Sequence, residues 1–208
     1  MDEIINQSAT KQPLTRCYTG TVAELLTFKS TEFPEHLKWQ ALSFMRMYYP
    51  EGFKGEERHR DWVTREEDHP IHIVLVEGNI LLSHTNVVWK YLEHDTETYK
   101  AYGLTGVFTY PPCRGQGYGS QVVAAGTAFI QKSDADIAML YCDEDLHDLY
   151  GNHGWQHMDR STSYIGTKEE PELVDDEILM MLFLSPKGQH GQAAFKSKPI
   201  HFALDYTW

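Results

Sequence analysis

The sequence predicts a mixed α+β fold in which a mostly antiparallel sheet is followed by alternating strands and helices. Three observations carry this prediction. Residues 71–95 contain two apolar runs around Glu77-Gly78-Asn79, which is a tight hairpin pattern. The glycine-rich stretch CRGQGYG at 113–119 separates a strand pattern from a helix pattern. Two further short strand patterns then enclose another helix. At 208 residues the chain suits a single domain, 1–208, with a sizeable core.

The first half of the chain gives these elements in order. The stretches TVAELLTFKS (21–30) and EHLKWQALSFMRMYY (35–49) predict helices by their apolar spacing. Residues 50–70 form a polar, charge-mixed loop bounded by prolines. The hairpin follows, and a further strand in TYKAYGLTGVFTYPP (98–112) must end at its two prolines, which cannot donate to a ladder.

The second half begins with a helix that the glycines open and that runs to about Lys132. A short buried strand, DIAMLYC (136–142), precedes a helix in DEDLHDLYGNHGW that Gly154 closes. DEILMMLFL (176–184) predicts another strand, and PIHFALDYTW (199–208) alternates enough for a last one. The C-terminal strands within 176–208 are expected to complete the substrate site.

Composition limits the classes of partner. The chain has 41% apolar and 23% charged residues, as an ordinary globular protein does. Only 18 Lys and Arg oppose 30 Asp and Glu, which gives a net charge of −12. Nucleic acid binding needs a basic face, so the charge argues against it. An acidic surface supports solubility, and a sharper interpretation is attraction of a cationic ligand.

Other features argue against a membrane, a disulfide framework and a metal. The longest apolar run, ILMMLFL, is too short to cross a bilayer, and the N-terminus lacks the pattern of a signal peptide. Three widely spaced cysteines predict no disulfides and suggest a cytoplasmic location. His147, His153 and His157 match no zinc spacing, so no metal is expected.

The glycine stretch predicts an anion site at a helix N-terminus, where free N–H groups meet a chain without bulky side chains. Three motifs compete for it. The phosphate loop of nucleotide hydrolases needs a lysine that is absent here. The dinucleotide fingerprint needs G-x-G-x-x-G, but the spacing is G-x-G-x-G, and hairpin strands precede it. The third motif, Arg114-x-x-Gly117-x-Gly119 after a strand, fits better.

That motif resembles the acetyl-CoA loop of the GNAT N-acetyltransferases, whose pattern is [QR]-x-x-G-x-[GA]. The strand Leu104 to Thr109 resembles the one at which that superfamily splays its mostly antiparallel, helix-flanked sheet. DLYGNHGW resembles its L-Y-x-x-x-G-[FW] helix. The resemblance covers about residues 70–160, the expected cofactor-binding core.

The resemblance implies how acetyl-CoA would be held. The main chain of Val107, Phe108 and Thr109 would bind the pantetheine arm. The pyrophosphate would lie on the loop and first helical turn, formed by Arg114, Gly115, Gln116, Gly117, Tyr118, Gly119 and Ser120.

The resemblance also implies direct transfer from the thioester to an amine. The N–H of Val107 would polarise the thioester carbonyl, and Tyr150 would donate a proton to the departing thiolate. Cys142 as a nucleophile is the weaker interpretation, because no histidine is paired with it in the sequence and a strand cysteine is usually buried.

A finer resemblance points to the aminoglycoside 2′-N-acetyltransferases, which modify antibiotics and so confer resistance. Shared features are an acidic loop with Asp-Trp, the Arg-Gly-Gln loop, the L-Y-x-x-x-G-W helix, an Asp-Asp pair before a late strand and a terminal D-x-x-W. In that family these acids and the terminal carboxylate grip the drug's ammonium groups. The implied substrate ligands are Asp175, Asp176, Asp205, the Trp208 carboxylate, Glu56 and Asp61.

One departure concerns the proton acceptor. The family has V-E-G-V where this chain has L-T-G-V, so Thr105 replaces a substrate-binding glutamate. A drug with fewer amines, such as kasugamycin, is therefore an option. The base stays open among Asp143, Glu144 and the Trp208 carboxylate acting through water. Another small amine, a peptide α-amine or a non-catalytic acyl-CoA sensor are the alternatives, and the superfamily's frequent dimers leave a homodimer open.

Overall fold

The computed structural model describes residues 23–167 and 169–202, and the features below refer to these ranges. Four α-helices and ten strands make up the mixed α+β fold that the sequence predicts. The helices are α1 (Glu35–Tyr48), α2 (Tyr118–Gln131), α3 (His147–Gly151) and α4 (Pro186–Ser197). The positions Cys17, Asp205 and Trp208 lie outside the described residues.

The main sheet has seven strands in the order β1-β2-β3-β4-β5-β9-β6. Their bounds are β1 Glu24–Lys29, β2 Ile71–Glu77, β3 Ile80–His94, β4 Glu97–Thr109, β5 Ile137–Cys142, β9 Ile178–Phe183 and β6 Gln156–His157. A second sheet has the order β10-β7-β8, with β10 Ile200–His201, β7 Ser163–Gly166 and β8 Pro171–Val174.

The pairing of β4 with β5 gives the sheet its central opening. It is parallel, whereas the other pairs of this sheet are antiparallel. Its register covers Ala101–Gly103 against Ile137–Met139 and then stops, although both strands continue. The end of β4 and the end of β5 therefore diverge, and main-chain groups along both edges become available to a ligand.

A β-bulge in β4 changes which side chains face which helix. The register between β3 and β4 shifts between His84 and Asn86, so that Gly106 and Val107 together lie opposite one residue of β3. Gly106 adopts a φ of 59°, which favours glycine. After the bulge Val107 packs with the core beneath α2, and Phe108 packs with the core beneath α1.

The two faces of the sheet are covered by different helices. Leu37, Ala41 and Leu42 of α1 pack on one face, against Val74 and Val76 of β2 among others. Val123 and Ile130 of α2 pack on the opposite face. This arrangement follows from the alternation of strand residues, since successive residues of β2 point to opposite sides.

The structure corrects the prediction of a helix over 21–30. Residues 24–29 form β1, an edge strand antiparallel to β2. Leu26 and Phe28 pack against the core, while Leu25 is 46% exposed. The period of two that strand pairing enforces outweighs the local helical spacing.

The segment 176–208, expected to contribute strands, also contains the helix α4. Ser185 caps it by accepting a hydrogen bond from the Gly188 N–H at 3.0 Å, and Pro186 occupies the first turn. Both features are visible in the sequence as SPKG. Of the predicted strand at 199–208, only Ile200–His201 is strand among the described residues.

Two further differences are smaller. The loop at 50–70 contains three short 3₁₀ turns, Pro50–Phe53, Gly55–His59 and Glu66–Asp68. The helices α1 and α2, the hairpin strands and β4, β5 and β9 lie where the sequence predicts them. Within the described ranges, no helix has both the length and the apolarity needed to span a membrane.

Candidate active site

A cavity of about 620 Å³ lies where β4 and β5 diverge. Thr105, Gly106 and Val107 line it from β4, and Tyr141 and Cys142 line it from β5. Further walls come from α1, α3 and the 50–68 loop, which lie on different sides of the sheet. The volume is within the range typical of small-molecule sites.

The glycine loop continues from the end of β4 into α2. Gly115 and Gly117 have φ values of 75° and 77°, and a Cβ at either would meet no atom within 4 Å. Gly117 precedes the first helical residue, and no side chain caps the helix there. The first N–H groups of a helix lack intrahelical partners, so this open, exposed turn can receive an anion.

Side-chain contacts connect the glycine loop and the start of α2 to neighbouring segments. The Arg114 Nε donates to the Thr109 carbonyl at 3.2 Å, and the guanidinium lies 4.9 Å from the ring centre of Tyr48. The Ser120 hydroxyl lies 2.9 Å from Nε2 of His153. The last contact links the first turn of α2 to the chain that follows α3. His153, which the sequence does not predict to be a metal ligand, thus connects α2 to the segment after α3.

Tyr150 reaches the cavity from α3. Its side chain is 4% exposed, and within the described residues its hydroxyl makes no hydrogen bond. Burial is the main cause that raises the pKa of Tyr150, and the negative charges of Glu177 and Asp143 act in the same direction. The hydroxyl therefore keeps its proton at neutral pH and can act as an acid.

Cys142 ends β5 beside the same cavity. Burial, together with nearby carboxylates of which Glu177 is the strongest, raises the pKa of the Cys142 thiol to about 12. A thiol that stays protonated is a poor nucleophile. The raised pKa of the thiol therefore argues against Cys142 as a nucleophile.

Asp143 and Glu177 make one wall of the cavity negative. Asp143 follows β5 and Glu177 precedes β9, and these antiparallel neighbours bring the two acids to one end of the sheet. Partial burial, then Asp176 and Asp143, raise the pKa of Glu177. Burial, then the negative charges of Glu177 and Asp143, also raise the pKa of Tyr49 on the cavity wall. Neither Asp143 nor Glu177 forms an ion pair with another described residue.

The charged residues that line the cavity from the 50–65 loop have partners. Glu51 pairs with Lys54, and Glu57 pairs with Arg65 at 3.5 Å. The Arg60 guanidinium lies between aromatic rings, 4.2 Å from the centre of Phe53 and 4.4 Å from that of Trp62. These contacts neutralise or occupy the loop charges, so Asp143, Glu177 and Asp68 are the cavity acids without an ion pair to another described residue.

Asp68 is a further acid of the cavity wall. It is 4% exposed, and burial raises the pKa of Asp68 although the charge of Lys90 opposes this. Thr64, whose hydroxyl accepts from Asn86 at 2.6 Å, and Thr105 line the same cavity. Thr64, Asp68 and Thr105 therefore contribute polar groups to the wall of the same cavity.

The structure brings some predicted site residues together and separates others. Thr105, Val107 and Tyr150 line the cavity. Phe108 is buried with its ring stacked on His84, so its side chain faces away from the cleft. Four predicted substrate acids are exposed and do not line the cavity, namely Glu56, Asp61, Asp175 and Asp176. Asp205 and Trp208 lie outside the described residues, and their roles stay predictions.

Sequence reasoning missed three cavity residues, Tyr49, Asp68 and Glu177. Glu177 directly follows Asp175 and Asp176, and the position at which β9 begins determines which of the three acids lines the cavity. Tyr49 and Asp68 carry no motif. No group of three His, Cys, Asp or Glu in the part of the chain that the structure describes could hold a metal ion.

The site fits a thioester cofactor with a pyrophosphate. The divergent strands leave main-chain edges for an amide-containing arm, and the two positive-φ glycines leave room for phosphates at a helix N-terminus. The cavity lies at the divergent strands, and a tyrosine and free carboxylates line it. These are the groups that acyl transfer to an amine requires.

Comparison with known families gives one match. The model of an acetyltransferase (GNAT) domain matches residues 25–158, which is more than half of the chain. No curated protein matches the sequence.

Several solved structures share the fold at low sequence identity. One is the GNAT family N-acetyltransferase YhbS from Escherichia coli in complex with CoA, with 13% identity, a TM-score of 0.57, and 89% of this chain and 93% of that chain covered. ElaA from Escherichia coli has 15% identity and a TM-score of 0.53 over 76% of this chain and 98% of that chain.

A conserved protein of unknown function from Enterococcus faecalis V583 has 15% identity and a TM-score of 0.51 over 64% of this chain. The present chain spans only 32% of that longer protein. At these identities the likenesses establish the shared fold.

Proposed function

Because this chain belongs to the acetyltransferase (GNAT) domain family, we propose that it transfers an acetyl group from acetyl-CoA to a cationic amino sugar. The 2′-amine of an aminoglycoside antibiotic is the first candidate, so that acetylation would inactivate the drug. Acetyl-CoA dependence and N-acetyl transfer follow from family membership. The choice of acceptor rests on the cavity described above. A cytoplasmic location and a homodimer stay predictions.

The unpaired carboxylates of Asp143 and Glu177 carry the proposal of a cationic acceptor. They line the cavity beside Tyr150, where burial raises the pKa of Tyr49 and Tyr150 and the two carboxylates add to this effect. A negative wall attracts an ammonium group and disfavours an anionic or purely apolar acceptor. An amino sugar presents several ammonium groups and few apolar ones, so it matches this wall.

Three groups of the site would each serve one step of acetyl transfer. The Val107 N–H would donate to the thioester carbonyl oxygen, which gains negative charge as the amine nitrogen attacks the carbonyl carbon. Glu177 would accept the proton that the amine loses as the C–N bond forms. Tyr150 would donate its hydroxyl proton to the sulfur as the C–S bond breaks, which leaves an amide and the free CoA thiol.

Glu177 is the base that we favour over Asp143 and Glu144. Its raised pKa makes it a better proton acceptor than an ordinary carboxylate near neutral pH. Glu144 does not line the cavity, whereas Glu177 and Asp143 do. The Trp208 carboxylate stays an alternative outside the described residues.

Gly117→Ala is expected to raise KM for acetyl-CoA by about tenfold or more. A Cβ here would project into the space proposed for the pyrophosphate, and a positive φ costs a non-glycine residue about 1–2 kcal/mol. Gly78→Ala is the matched control, because Gly78 also has a positive φ (60°) and open space but lies in the β2–β3 hairpin. Steady-state kinetics and thermal unfolding of both variants separate the two effects. Equal KM values for the two would contradict the assignment of the loop.

Glu177→Gln and Asp143→Asn are each expected to raise KM for a cationic acceptor by about tenfold, a typical loss for one charged hydrogen bond. KM for acetyl-CoA should stay unchanged. Glu177→Gln should in addition lower kcat, because a carboxamide cannot accept the amine proton. The measurement is release of CoA thiol at varied acceptor concentration.

Glu93→Gln controls for the change in net charge, since Glu93 is an exposed acid of β3 outside the cavity. Asp176→Asn tests the residue that the sequence favoured. If only the Asp176 variant raises the acceptor KM, the substrate lies on the exposed acids and not in the cavity.

The acceptor class is tested with acetyl-CoA and a panel of aminoglycosides, polyamines and peptides with free α-amines. Turnover confined to aminoglycosides supports the proposal. Turnover of polyamines or peptides alone replaces it with a different acceptor. Binding of acetyl-CoA without any turnover identifies a non-catalytic acyl-CoA sensor, and absence of binding removes the cofactor assignment.

A further inference from the structure

At the bulge in β4, one main-chain carbonyl has its hydrogen-bond partner outside the regular pairing of β3 with β4. Gly106 and Val107 share one position opposite β3, between the pairs His84–Phe108 and Asn86–Thr105. The Gly106 carbonyl instead lies 2.8 Å from Nδ1 of His84. A carbonyl oxygen can only accept a hydrogen bond, so Nδ1 of His84 carries the proton and donates it.

The direction of the Gly106 carbonyl fixes the direction of the Val107 N–H. Both belong to the same planar, trans peptide unit, in which C=O and N–H point in opposite directions. Because His84 holds the carbonyl on the side of α1, the Val107 N–H points away from His84. Gly106 and Val107 both line the cavity.

We propose that His84 is a positioning residue, which aims the Val107 N–H at the thioester carbonyl by holding the Gly106 carbonyl. The proposal rests on acetyl transfer as described above and not on the identity of the acceptor. His84 itself does not line the cavity. It would act through the peptide that joins Gly106 to Val107.

A second histidine, His72, donates a hydrogen bond to the first. Nδ1 of His72 lies 3.3 Å from Nε2 of His84. Burial is the main cause that lowers the pKa of His84 to about 4 and that of His72 to about 3, so both rings are neutral near pH 7. Since Nδ1 of His84 holds its only ring proton, Nε2 accepts, and His72 must donate from Nδ1. The chain of donors runs from His72 through His84 to the Gly106 carbonyl.

Packing leaves the His84 ring little freedom to turn. His84 is fully buried, and Phe108 stacks on it with ring centres 4.8 Å apart. Phe33 stacks on His72 at 4.2 Å and an interplanar angle of 9°. A Cβ at Gly106 would lie 3.2 Å from Asn86 Nδ2, so the Asn86 side chain also packs closely against the Gly106 backbone. Because close packing restricts rotation of the His84 ring, the ring can hold the Gly106 carbonyl in a narrow range of orientations.

The first test reads the tautomers in the protein without ligand. Long-range ¹⁵N–¹H correlation of the histidine rings should give a protonated Nδ1 and an unprotonated Nε2 for His84 at pH 7. The opposite tautomer would overturn the proposal, because Nδ1 could not then donate to Gly106. This measurement needs no variant and no turnover.

The second test reads the thioester carbonyl directly. Infrared spectra of bound [1-¹³C]acetyl-CoA should show a lowered carbonyl frequency in the wild type, and His84→Leu should lose part of that lowering. His84→Asn should restore it, since the asparagine amide offers an N–H near the place of Nδ1. His94→Leu is the matched control, because His94 is a buried histidine on the same strand, stacked on Phe195 away from the cavity.

Kinetics then separate positioning from binding. His84→Leu should lower kcat by about 10- to 100-fold, somewhat less than outright loss of an oxyanion donor. Its affinity for acetyl-CoA, measured by calorimetry, should change by less than about threefold because most of the cofactor contacts remain. A wild-type carbonyl band and kcat in His84→Leu would overturn the proposal.

The outcomes distinguish this inference from the proposed function. If wild-type protein binds no acetyl-CoA, the proposed function and this inference both fail. If wild-type protein binds acetyl-CoA and His84→Leu shares its carbonyl band, only the inference fails. Should His84→Leu not fold, the wild-type tautomers still decide, because an unprotonated Nδ1 of His84 overturns the inference and a protonated Nδ1 supports it.

Discussion

Tyr150→Phe is expected to lower kcat by about 10²-fold or more, the usual range for loss of a general acid. The removed hydroxyl faces the cavity with no hydrogen bond among the described residues, and its raised pKa keeps it protonated. The departing thiolate would then have to take a proton from water. KM for acetyl-CoA should change little, because the loop and the β4 edge are untouched. Steady-state release of CoA thiol measures both constants.

Tyr141→Phe is the control for Tyr150→Phe. Tyr141 lines the same cavity, but its hydroxyl donates to the Ser163 hydroxyl at 2.7 Å. Its loss should reduce the free energy of unfolding by about 1 kcal/mol and leave kcat nearly unchanged. Equal kcat values in wild type and Tyr150→Phe would show that another group protonates the sulfur.

The free energy of unfolding is expected to fall steeply as the pH drops below about 6.5, because His72 and His84 are buried as neutral rings. Their folded pKa values, about 3 and about 4, lie below the ordinary histidine value of 6.5. The unfolded chain therefore binds more protons between these limits, and stability increases with pH across that window. The two neutral rings contribute their full stabilisation above pH 6.5. This stabilisation is lost as the pH falls to about 4 for His84 and to about 3 for His72.

The size of this effect follows from linkage. Each ring contributes up to about 1.4 kcal/mol per pH unit within its window, so the pair approaches about 3 kcal/mol per unit. By pH 4.5 the pair would remove roughly 5 kcal/mol, which equals the lower end of the range for ordinary domains, about 5–15 kcal/mol. Urea unfolding between pH 7.5 and 4.5 measures the slope. Neither ring has a carboxylate among the causes that set its pKa, so burial governs the window.

His72→Phe should remove about half of this pH dependence, since one titrating ring is lost and the stack on Phe33 can be kept. His36→Gln, at an exposed position of α1, should leave the slope unchanged. In the wild type, ring proton resonances of His72 and His84 should not titrate between pH 8 and 5. A urea midpoint that stays constant over this range would contradict the neutral buried pair.

Local patterns in the sequence predicted much of the fold. The hairpin turn at Gly78, the helix α1 and the strand–loop–helix around Gly117 all depend on residues close together in the chain. The first strand was predicted as a helix, because its pairing with β2 lies over 40 residues away. The helix α4 was missed, although its Ser-Pro start is a helix-capping pattern.

The candidate site could be predicted only in part. Val107, Thr105 and Tyr150 belong to recognisable motifs, and they do line the cavity. Glu177 and Asp143 come from strands that pair across the sheet, so their convergence depends on the register between β5 and β9. No spacing within the sequence encodes that register.

The sequence by itself determined that a glycine-rich turn leads from a strand into a helix, because turn conformation and helix initiation depend on neighbouring residues. The tertiary structure alone decided where β4 and β5 separate, which acids face the opening and which histidine holds the bulge. The reason is physical. Divergence of strands, desolvation of a carboxylate and burial of His84 against Phe108 arise between segments that the chain brings together only on folding.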